Sequence, residues 1–206
     1  MQVGTRMHTI AERKPTTERI LAAALEVFSR EGMNATTREI ARVAEVNEAT
    51  LFRQFETKGQ LLIAVTKEVK RLQAEALARI DFDDFDLRRD LTHLAEAYEK
   101  TTVKHLQFIR TMMSQATEPA LTEQIMREVV EPMRARFIAY LAEGQRRGLV
   151  RDLDLASAVD AFTGMVFSGA LRCSIYRTGY SRKTYRETCI ELFVAGIQPG
   201  ERSVAP

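Results

Sequence analysis

Apolar residues recur along most of the chain at intervals of three or four positions, which is the spacing of an amphipathic helix. The first such stretch begins at Thr16 and stops at Gly32, which can take the left-handed conformation of a helix C-cap. Its apolar positions are Ile20, Leu21, Ala24, Val27 and Phe28. No stretch alternates convincingly between apolar and polar residues, as a half-buried strand would. The pattern therefore predicts an all-α protein.

Polar residues mark where the next three helices begin. Thr36 precedes Glu39 by three positions, and Thr57 precedes Gln60 in the same way. This is the spacing of a capping box, in which the hydroxyl accepts from a backbone N–H and the later side chain bonds back. Asn47 is a good N-cap for a short helix between the two boxes. The pattern predicts two short helices followed by one long helix.

Beyond an acidic stretch at 81–86, apolar residues return at helical spacing and continue nearly to the C-terminus. The acidic stretch lacks the glycine and the distal glutamate of a calcium loop, so we expect a solvated turn. Pro132 lies inside a later helical run and should kink or divide it, because proline has no backbone N–H. We expect three short helices, one connecting helix and about five longer ones, in domains 1–62 and 63–206.

Residues 37–55 have the pattern of a helix-turn-helix. Ala41 is small where the second helix would cross the first, and apolar residues on both helices can lock the crossing. Because this packing stabilises the second helix, that helix can be short. Its polar face is then free to enter a major groove with its N-terminus first. The residues expected to lock the crossing are Ile40, Ala44, Val46, Leu51 and Phe55, and Phe52 is expected to add to the apolar anchoring of the second helix.

The stretch 19–65, RILAAALEVFSREGMNATTREIARVAEVNEATLFRQFETKGQLLIAV, resembles the DNA-binding domain of the TetR family of bacterial transcriptional repressors. The family motif F-x-x-x-G, then T-x-x-x-I-A-x-x-A-G-V, then T-L-Y-x-x-F, is matched over about 45 residues, with Lys58 at the next helix. Two positions depart from it: Glu45 replaces the usual glycine and Phe52 the usual tyrosine. A left-handed backbone at Glu45 would cost roughly 1 kcal/mol.

The resemblance implies which residues contact DNA. Thr37, Thr50 and Lys58 would contact phosphates, and base contacts would come from the N-terminal part of the second helix. Arg38 and the N-terminal arm, with Arg6, Arg13 and Lys14, would add backbone or minor-groove contacts. Lys58 in the first turn of a helix opposes the helix dipole, which favours a phosphate partner. The candidate set is Thr37, Arg38, Asn47, Glu48, Ala49, Thr50, Phe52, Arg53 and Lys58.

The resemblance also implies a C-terminal domain that binds a small molecule and forms a homodimer through its last two helices. Gly164 and Gly169 lie in a helical run near the C-terminus, with other small residues and aromatics around them. Glycine inside a helix costs up to about 1 kcal/mol, so we expect another helix to approach closely there. The interface is expected within 155–197; the alternative is ordinary packing inside one subunit.

A pocket for the small-molecule effector is expected among the helices between 87 and 145. Bulky and adaptable side chains with a few polar tips are typical of sites that bind largely apolar ligands. The candidates are Tyr98, His105, Phe108, Met112, Met113, Phe137 and Tyr140.

Composition excludes several other classes of protein. The formal net charge of only +2 is a weak sign of DNA binding. If the protein binds DNA, its basic residues must be concentrated on the surface that faces the DNA. Cys173 and Cys189 fit neither a disulfide framework nor a zinc site, and His93 and His105 lack a partner at ligand spacing. The sequence also has no nucleophile constellation, phosphate loop or dinucleotide fingerprint. We therefore expect no metal, no cofactor and no enzyme activity. The lack of a signal peptide and of an apolar run of about 18 residues predicts a cytoplasmic protein.

The resemblance, with which these patterns agree, implies a dimeric repressor on a pseudo-palindromic site in double-stranded DNA, released by a small, mostly apolar ligand. The long helix at 57–80 would couple the two domains. Two alternatives remain: a ligand-independent DNA-binding protein in nucleoid organisation or division control, and a protein-interaction module on the same fold. A core filled at Tyr98, Phe108 and Phe137 would favour the ligand-independent protein.

Overall fold

The computed structural model describes residues 15–114, 118–176 and 178–199, which contain ten α-helices and no strand. The predicted all-α fold is confirmed. The expected N-terminal arm lies outside the described residues. The helices are α1 (Thr16–Glu31), α2 (Thr37–Val43), α3 (Glu48–Phe55), α4 (Lys58–Ala78), α5 (Leu87–Lys104), α6 (Leu106–Ser114), α7 (Pro119–Ile125), α8 (Glu131–Arg146), α9 (Leu155–Ile175) and α10 (Arg182–Ile197).

The three predicted N-caps of the N-terminal region are confirmed. Thr36 Oγ1 accepts from the backbone N–H of Glu39 at 3.2 Å, and Thr57 Oγ1 accepts from that of Gln60 at 3.1 Å. Asn47 Oδ1 accepts from the backbone N–H of Thr50 at 2.7 Å. The return bond expected from the Glu39 carboxylate is not formed to Thr36, because that carboxylate accepts from two arginines, Arg30 and Arg42.

Three positions of this region have a positive φ: Gly32, Glu45 and Glu56, which follows α3 with φ 56°. Gly32 ends α1 with φ 58° and ψ −134°, a combination that only glycine adopts without strain. Its φ is positive as expected, but its ψ is not that of the left-handed helical region. Glu45, between α2 and α3, has φ 52°, so this glutamate pays the backbone cost that glycine avoids.

Helices α1, α2 and α3 pack with the N-terminal half of α4 around one hydrophobic core, which we call the N-terminal core. Phe28, Ile40 and Leu51 are fully buried in it. Phe108 of α6 belongs to the same core, and α6 packs directly against α1. The helix-turn-helix is therefore joined to the C-terminal part through α6 as well as through α4.

A second core lies among α5, α8, α9 and α10. Phe162 is central to it, with its ring centroid 5.6 Å from that of Phe137 and 4.9 Å from that of Phe193. The fully buried Tyr140 donates its hydroxyl to Asp90 at 2.7 Å. These contacts hold the C-terminal helices around aromatic side chains from three of them.

The loop at 81–86 is not simply a solvated turn. Its aspartates are exposed, but Phe82 and Phe85 turn inward. Their ring centroids lie 5.9 Å and 4.5 Å from that of Tyr140. A Cβ on Gly144 would lie 2.6 Å from Phe85, so this glycine makes room for the loop. The sequence-based expectation missed this because the aspartates dominate the composition of the loop.

The chain divides beside Pro132, as predicted. Pro132 stands in the first turn of α8, and a π-helical segment, Met126–Val130, immediately precedes that helix. Proline cannot donate the backbone hydrogen bond that a continuous α-helix needs at that position. The backbone stays helical throughout, so the π-helical segment interrupts the α-helical hydrogen bonding between α7 and α8 without a loop between them.

Gly169 of α9 allows α10 to approach closely. A Cβ on Gly169 would lie 2.1 Å from the ring of Tyr185, which belongs to α10 of the same chain. Gly164 is different, because a Cβ there would meet nothing within 4 Å. The expected close approach is thus confirmed at Gly169 as packing within one subunit, and Gly164 is left on an open face of α9.

Candidate nucleic-acid interface and effector cavity

The recognition helix α3 is held by fewer apolar side chains than the sequence suggested. Leu51 is fully buried and Phe55 is half-buried, but Phe52 is 41% exposed. The prediction that Phe52 anchors the helix is therefore wrong, because its side chain points away from the N-terminal core. All nine candidate DNA-binding residues have side chains that are exposed or half-buried.

Two of the candidate arginines carry charge that no carboxylate neutralises. Within the described ranges, neither Arg38 nor Arg53 forms an ion pair within 4.0 Å, and both are exposed. Arg30 and Arg42 lie nearby in the chain but share Glu39. The hydrogen bond from Arg42 is the main reason why the pKa of Glu39 falls to about 2. Positive charge is therefore available at Arg38 and Arg53 although the net charge is small.

Three polar candidates donate side-chain hydrogen bonds inside the protein, two of them to other candidates. The Thr37 hydroxyl donates to the Glu48 carboxylate, which ties α2 to the start of α3. The Thr50 hydroxyl donates to Asn47 Oδ1 at 2.7 Å. Lys58 Nζ donates to the backbone carbonyl of Met33, and burial lowers the pKa of this lysine. The Met33 carbonyl thus explains why a lysine is tolerated in the first turn of α4 without invoking phosphate.

Arg19 stabilises the turn of the helix-turn-helix and was missed from the sequence. Its guanidinium, on α1, donates to the carbonyl of Ala44 at 2.6 Å and to that of Glu45 at 2.8 Å. These carbonyls follow the C-terminus of α2, where a cation is also favoured by the helix dipole. Arg19 and Ala44 are 25 positions apart in the sequence, so no local sequence pattern predicts this contact.

A cavity of about 470 Å³ opens between α4, α5, α6 and α9, and we call it the effector cavity. Four of the predicted ligand-binding residues line it: Tyr98, Phe108, Met112 and Met113. Its size lies within the range of small-molecule sites, about 300 to 1,000 Å³. Most of its lining is apolar, as expected for such a site.

The other three predicted ligand-binding residues lie elsewhere. Phe137 and Tyr140 are fully buried in the second core. The Phe137 ring packs against Phe162, and the Tyr140 hydroxyl donates to Asp90. His105 lies in a separate surface cleft beside α1. The three side chains therefore do not line this cavity, because α8 and the end of α5 turn them away from it.

Polar residues from α4 and α5 that the sequence analysis did not select also line the effector cavity. Lys70 and Gln73 lie one turn apart on α4, and Thr101 lies opposite on α5. Lys70 and Gln73 continue the helical stripe of Leu62 and Val69, which was the available signal. Polar side chains on an otherwise apolar stripe are candidates for orienting a ligand.

A larger cleft of about 730 Å³ lies between the C-terminal end of α4 and α5. It is lined by charged residues, among them Arg89, which pairs with Asp84 and Asp90 at 2.8 and 3.0 Å. We regard the smaller effector cavity as the better ligand site, because its lining is apolar and touches the N-terminal core.

Two classes of feature are lacking in the described ranges. None of the helices there is long and apolar enough to cross a membrane. The same residues contain no group of three or more His, Cys, Asp or Glu side chains placed to hold a metal ion.

Comparison with known proteins places the chain in a family. The profile described as "Bacterial regulatory proteins, tetR family" matches residues 20–65, and "Tetracyclin repressor-like, C-terminal domain" matches 82–173. The HTH-type transcriptional regulator YvkB of Bacillus subtilis is 28% identical over 75% of this chain and 80% of its own length. The HTH-type transcriptional repressor NicS of Pseudomonas putida is 26% identical over 66% of each chain.

Solved structures share the fold at low sequence identity. The fatty acid degradation regulator FadR of Bacillus halodurans superimposes with a TM-score of 0.72 at 19% identity, covering 88% of this chain and 99% of its own. The TetR-family regulator PfmR of Thermus thermophilus superimposes with a TM-score of 0.61 at 20% identity, covering 88% of this chain and 100% of its own. The chain belongs to the TetR family of bacterial regulatory proteins and is a DNA-binding transcription regulator with a helix-turn-helix.

Proposed function

We propose that this protein is a cytoplasmic, dimeric repressor that binds a pseudo-palindromic DNA site and is released from it by a small molecule. The observation that carries the proposal is the effector cavity, whose walls α4 and α6 also pack into the N-terminal core. The repressor NicS is a relative, which supports repression as the sign of regulation. Of the three positions whose filling would favour the ligand-independent alternative, Phe137 is packed in the second core, but Tyr98 and Phe108 border this cavity, and we therefore favour a ligand-responsive protein.

For DNA recognition, we infer that Arg53, Asn47, Glu48 and Ala49 meet base edges in the major groove. The unpaired guanidinium of Arg53 can donate two hydrogen bonds to guanine, the commonest specific contact. Glu48 accepts from the Thr37 hydroxyl in the free protein, and on DNA it can accept from a cytosine amino group instead.

The phosphate contacts are proposed from Thr37, Thr50, Lys58 and Arg38. An ammonium has three donors, and Lys58 uses one of them on Met33, so two are left for a phosphate. Each threonine hydroxyl would exchange its internal acceptor for a phosphate oxygen. Phe52, exposed beside them, would pack against the DNA backbone.

The homodimer is proposed to form through the exposed faces of α9 and α10, within 155–197. On α10, Thr184, Thr188, Leu192 and Ala195 are all exposed and recur at helical spacing. Leu192 is 64% exposed, which is a large apolar surface for one leucine in a helix. Two-fold pairing of these faces would place two α3 helices about one turn of DNA apart, roughly 34 Å.

Coupling between ligand and DNA is proposed to run through α6 and α4. The Thr111 hydroxyl of α6 donates to the carbonyl of Ser29 in α1 at 2.8 Å, and Gln107 reaches the same carbonyl at 3.4 Å. Met112 and Phe108 of the same helix line the cavity. A ligand that shifts α6 would move α1 and hence α3. A tenfold loss of DNA affinity needs only about 1.4 kcal/mol of difference between states.

The direct test is titration of the protein against DNA upstream of its own gene, by fluorescence anisotropy at several salt concentrations. Random DNA serves as competitor. Binding that survives the competitor supports sequence-specific regulation. If the protein binds none of the candidate sites more tightly than it binds random DNA, the proposal is contradicted.

Arg53→Ala is expected to lower affinity for the preferred site by about 1 to 3 kcal/mol and to change affinity for random DNA little. The reason is that a base contact carries sequence preference, whereas phosphate contacts do not. Anisotropy on both DNAs measures the difference. Arg127→Ala, an exposed arginine of the π-helical segment, is the matched control and should change neither. Equal losses on both DNAs would contradict base reading by Arg53.

Lys58→Ala is expected to weaken all DNAs similarly and to flatten the dependence of log K on log salt by about one unit. The physical reason is that one phosphate contact fewer releases one counterion fewer. Because Lys58 also donates to Met33, thermal unfolding is measured alongside to separate a stability effect. An unchanged salt slope would remove Lys58 from the phosphate contacts.

A further inference from the structure

The effector cavity has a polar side that an apolar ligand would leave without partners. Lys70 and Asp160 are the charged residues of its lining in the part of the chain described here. Asp160 already accepts two hydrogen bonds from Arg134, at 2.9 and 3.0 Å. The negative charge of Asp160 is therefore neutralised by Arg134, which lies outside the cavity lining. The positive charge of Lys70 is not neutralised in this way.

Lys70 has no anionic partner. Within the described ranges no carboxylate lies within 4.0 Å of its ammonium, and its hydrogen bond is a long one, 3.4 Å to the amide oxygen of Gln73. Burial lowers the pKa of this lysine. Gln73 itself is only 3% exposed, so both groups lie against the interior. An ammonium in an apolar wall is costly until an anion and hydrogen bonds compensate it.

Thr101 provides a second, independent observation. It is 1% exposed and lines the cavity, and its hydroxyl has no hydrogen-bond partner among the residues that the structure describes. The neighbouring Thr102 instead donates to the carbonyl of Tyr98 at 2.9 Å, which is the ordinary way for a helical threonine to satisfy its hydroxyl. A buried hydroxyl without a partner costs about 1 to 3 kcal/mol. This cost is recovered if a ligand supplies an acceptor.

We propose that the effector is an amphiphilic organic anion, with an apolar body and a terminal carboxylate that pairs with Lys70 and accepts hydrogen bonds from Thr101 and Gln73. The inference rests on the proposed function, in which this cavity is the effector site. The apolar body would lie against Phe108, Met112 and the rest of the apolar wall. This revises the expectation of a ligand recognised by apolar contact alone.

A carboxylate fits these three groups better than a neutral polar head. It has two oxygens and about four acceptor sites, while the ammonium, the hydroxyl and the amide N–H₂ are all donors. Hydrogen bonds between ionised partners are roughly twice as strong as neutral ones. An alcohol or an amide head would leave the lysine charge uncompensated, and a cationic head would be repelled by it.

The test compares matched pairs of probes that differ only in the head group. Sodium octanoate is paired with 1-octanol, and sodium 4-phenylbutyrate with 4-phenyl-1-butanol, and binding to the full-length protein is measured by isothermal titration calorimetry. In at least one pair the carboxylate is expected to bind about tenfold or more tightly, which is about 1.4 kcal/mol. A panel in which no carboxylate binds more tightly than its alcohol overturns the inference.

Variants then assign the preference to Lys70. Lys70→Met keeps an apolar stem of similar length and is expected to abolish the difference between carboxylate and alcohol. Lys67→Met is the matched control, since Lys67 lies on the same helix but pairs with Glu128 at 3.0 Å. It should keep the full preference. A carboxylate preference that survives in Lys70→Met overturns the assignment.

Thr101→Val separates a ligand contact from a structural role. The substitution keeps the shape of the side chain and removes the hydroxyl without a partner, so the ligand-free protein should unfold at the same or a higher temperature. Carboxylate affinity should nevertheless fall about threefold or more. Lower stability together with unchanged affinity would show that the hydroxyl serves the fold and not the ligand.

Release of DNA is measured separately, by anisotropy with the same probes. Carboxylate binding through Lys70 without loss of DNA affinity would support the anion site and contradict ligand-released repression. An alcohol that binds as tightly as its carboxylate and also releases DNA would support the proposed function and overturn the anion site. The two proposals therefore fail in different measurements.

Discussion

A Leu192→Arg protein is expected to be monomeric and to bind its preferred DNA site about 10²- to 10⁴-fold more weakly. Leu192 lies on the exposed face of α10, where we propose that two subunits meet. An arginine there would place a charge where the apolar Leu192 side chain is proposed to be buried between subunits, and a cation facing its two-fold copy adds repulsion. A monomer engages one half-site at a time and loses the gain from binding both. Analytical ultracentrifugation measures the mass, and anisotropy the affinity.

The matched control is Leu149→Arg. Leu149 is another exposed leucine, in the turn after α8 and outside the proposed interface. The control should stay dimeric and bind DNA normally. Thermal unfolding of both variants is measured as well, because an unfolded protein would also bind DNA weakly. The expected state of Leu192→Arg is a folded monomer. A folded, dimeric Leu192→Arg protein with normal affinity would remove α10 from the interface.

Local chemistry made the N-terminal region predictable. Helix starts at Thr36, Asn47 and Thr57 depend on a side chain bonding to a backbone N–H three residues away, so the sequence alone carries the signal. The positive φ at Glu45 could be expected from the family pattern, because glycine is usual there. The dimer interface and the DNA contacts stay predictions.

The ligand site was less predictable, because it depends on which face of each helix meets the cavity. Phe108 and Tyr140 look equally suitable in the sequence, yet Phe108 borders the cavity and Tyr140 donates to Asp90, fifty positions away. Attention to residues between 87 and 145 also left out α4 and α9, which form two of the walls. Lys70 was missed for this reason, although a lysine on a buried stripe is visible in the sequence.

Leu51→Ala is expected to lower the free energy of unfolding by about 2 to 5 kcal/mol, because it leaves a cavity at a fully buried position of the N-terminal core. In a chain of this size the midpoint of thermal unfolding should fall by about 4 to 20 °C. DNA binding should be lost with the helix-turn-helix, since α3 is only eight residues long and depends on packing for its stability. Calorimetry and anisotropy at a series of temperatures measure both effects.

Phe52→Ala, one position further along, distinguishes anchoring from contact with DNA. Because the Phe52 ring is largely outside the core, its removal should change the free energy of unfolding by only about 0.5 kcal/mol. DNA affinity should still fall, since the exposed ring is proposed to pack against the DNA backbone. A loss of stability as large as that of Leu51→Ala would mean that the ring is a core anchor after all. Unchanged stability and unchanged affinity would remove Phe52 from both roles, leaving Leu51 and Phe55 to hold the recognition helix.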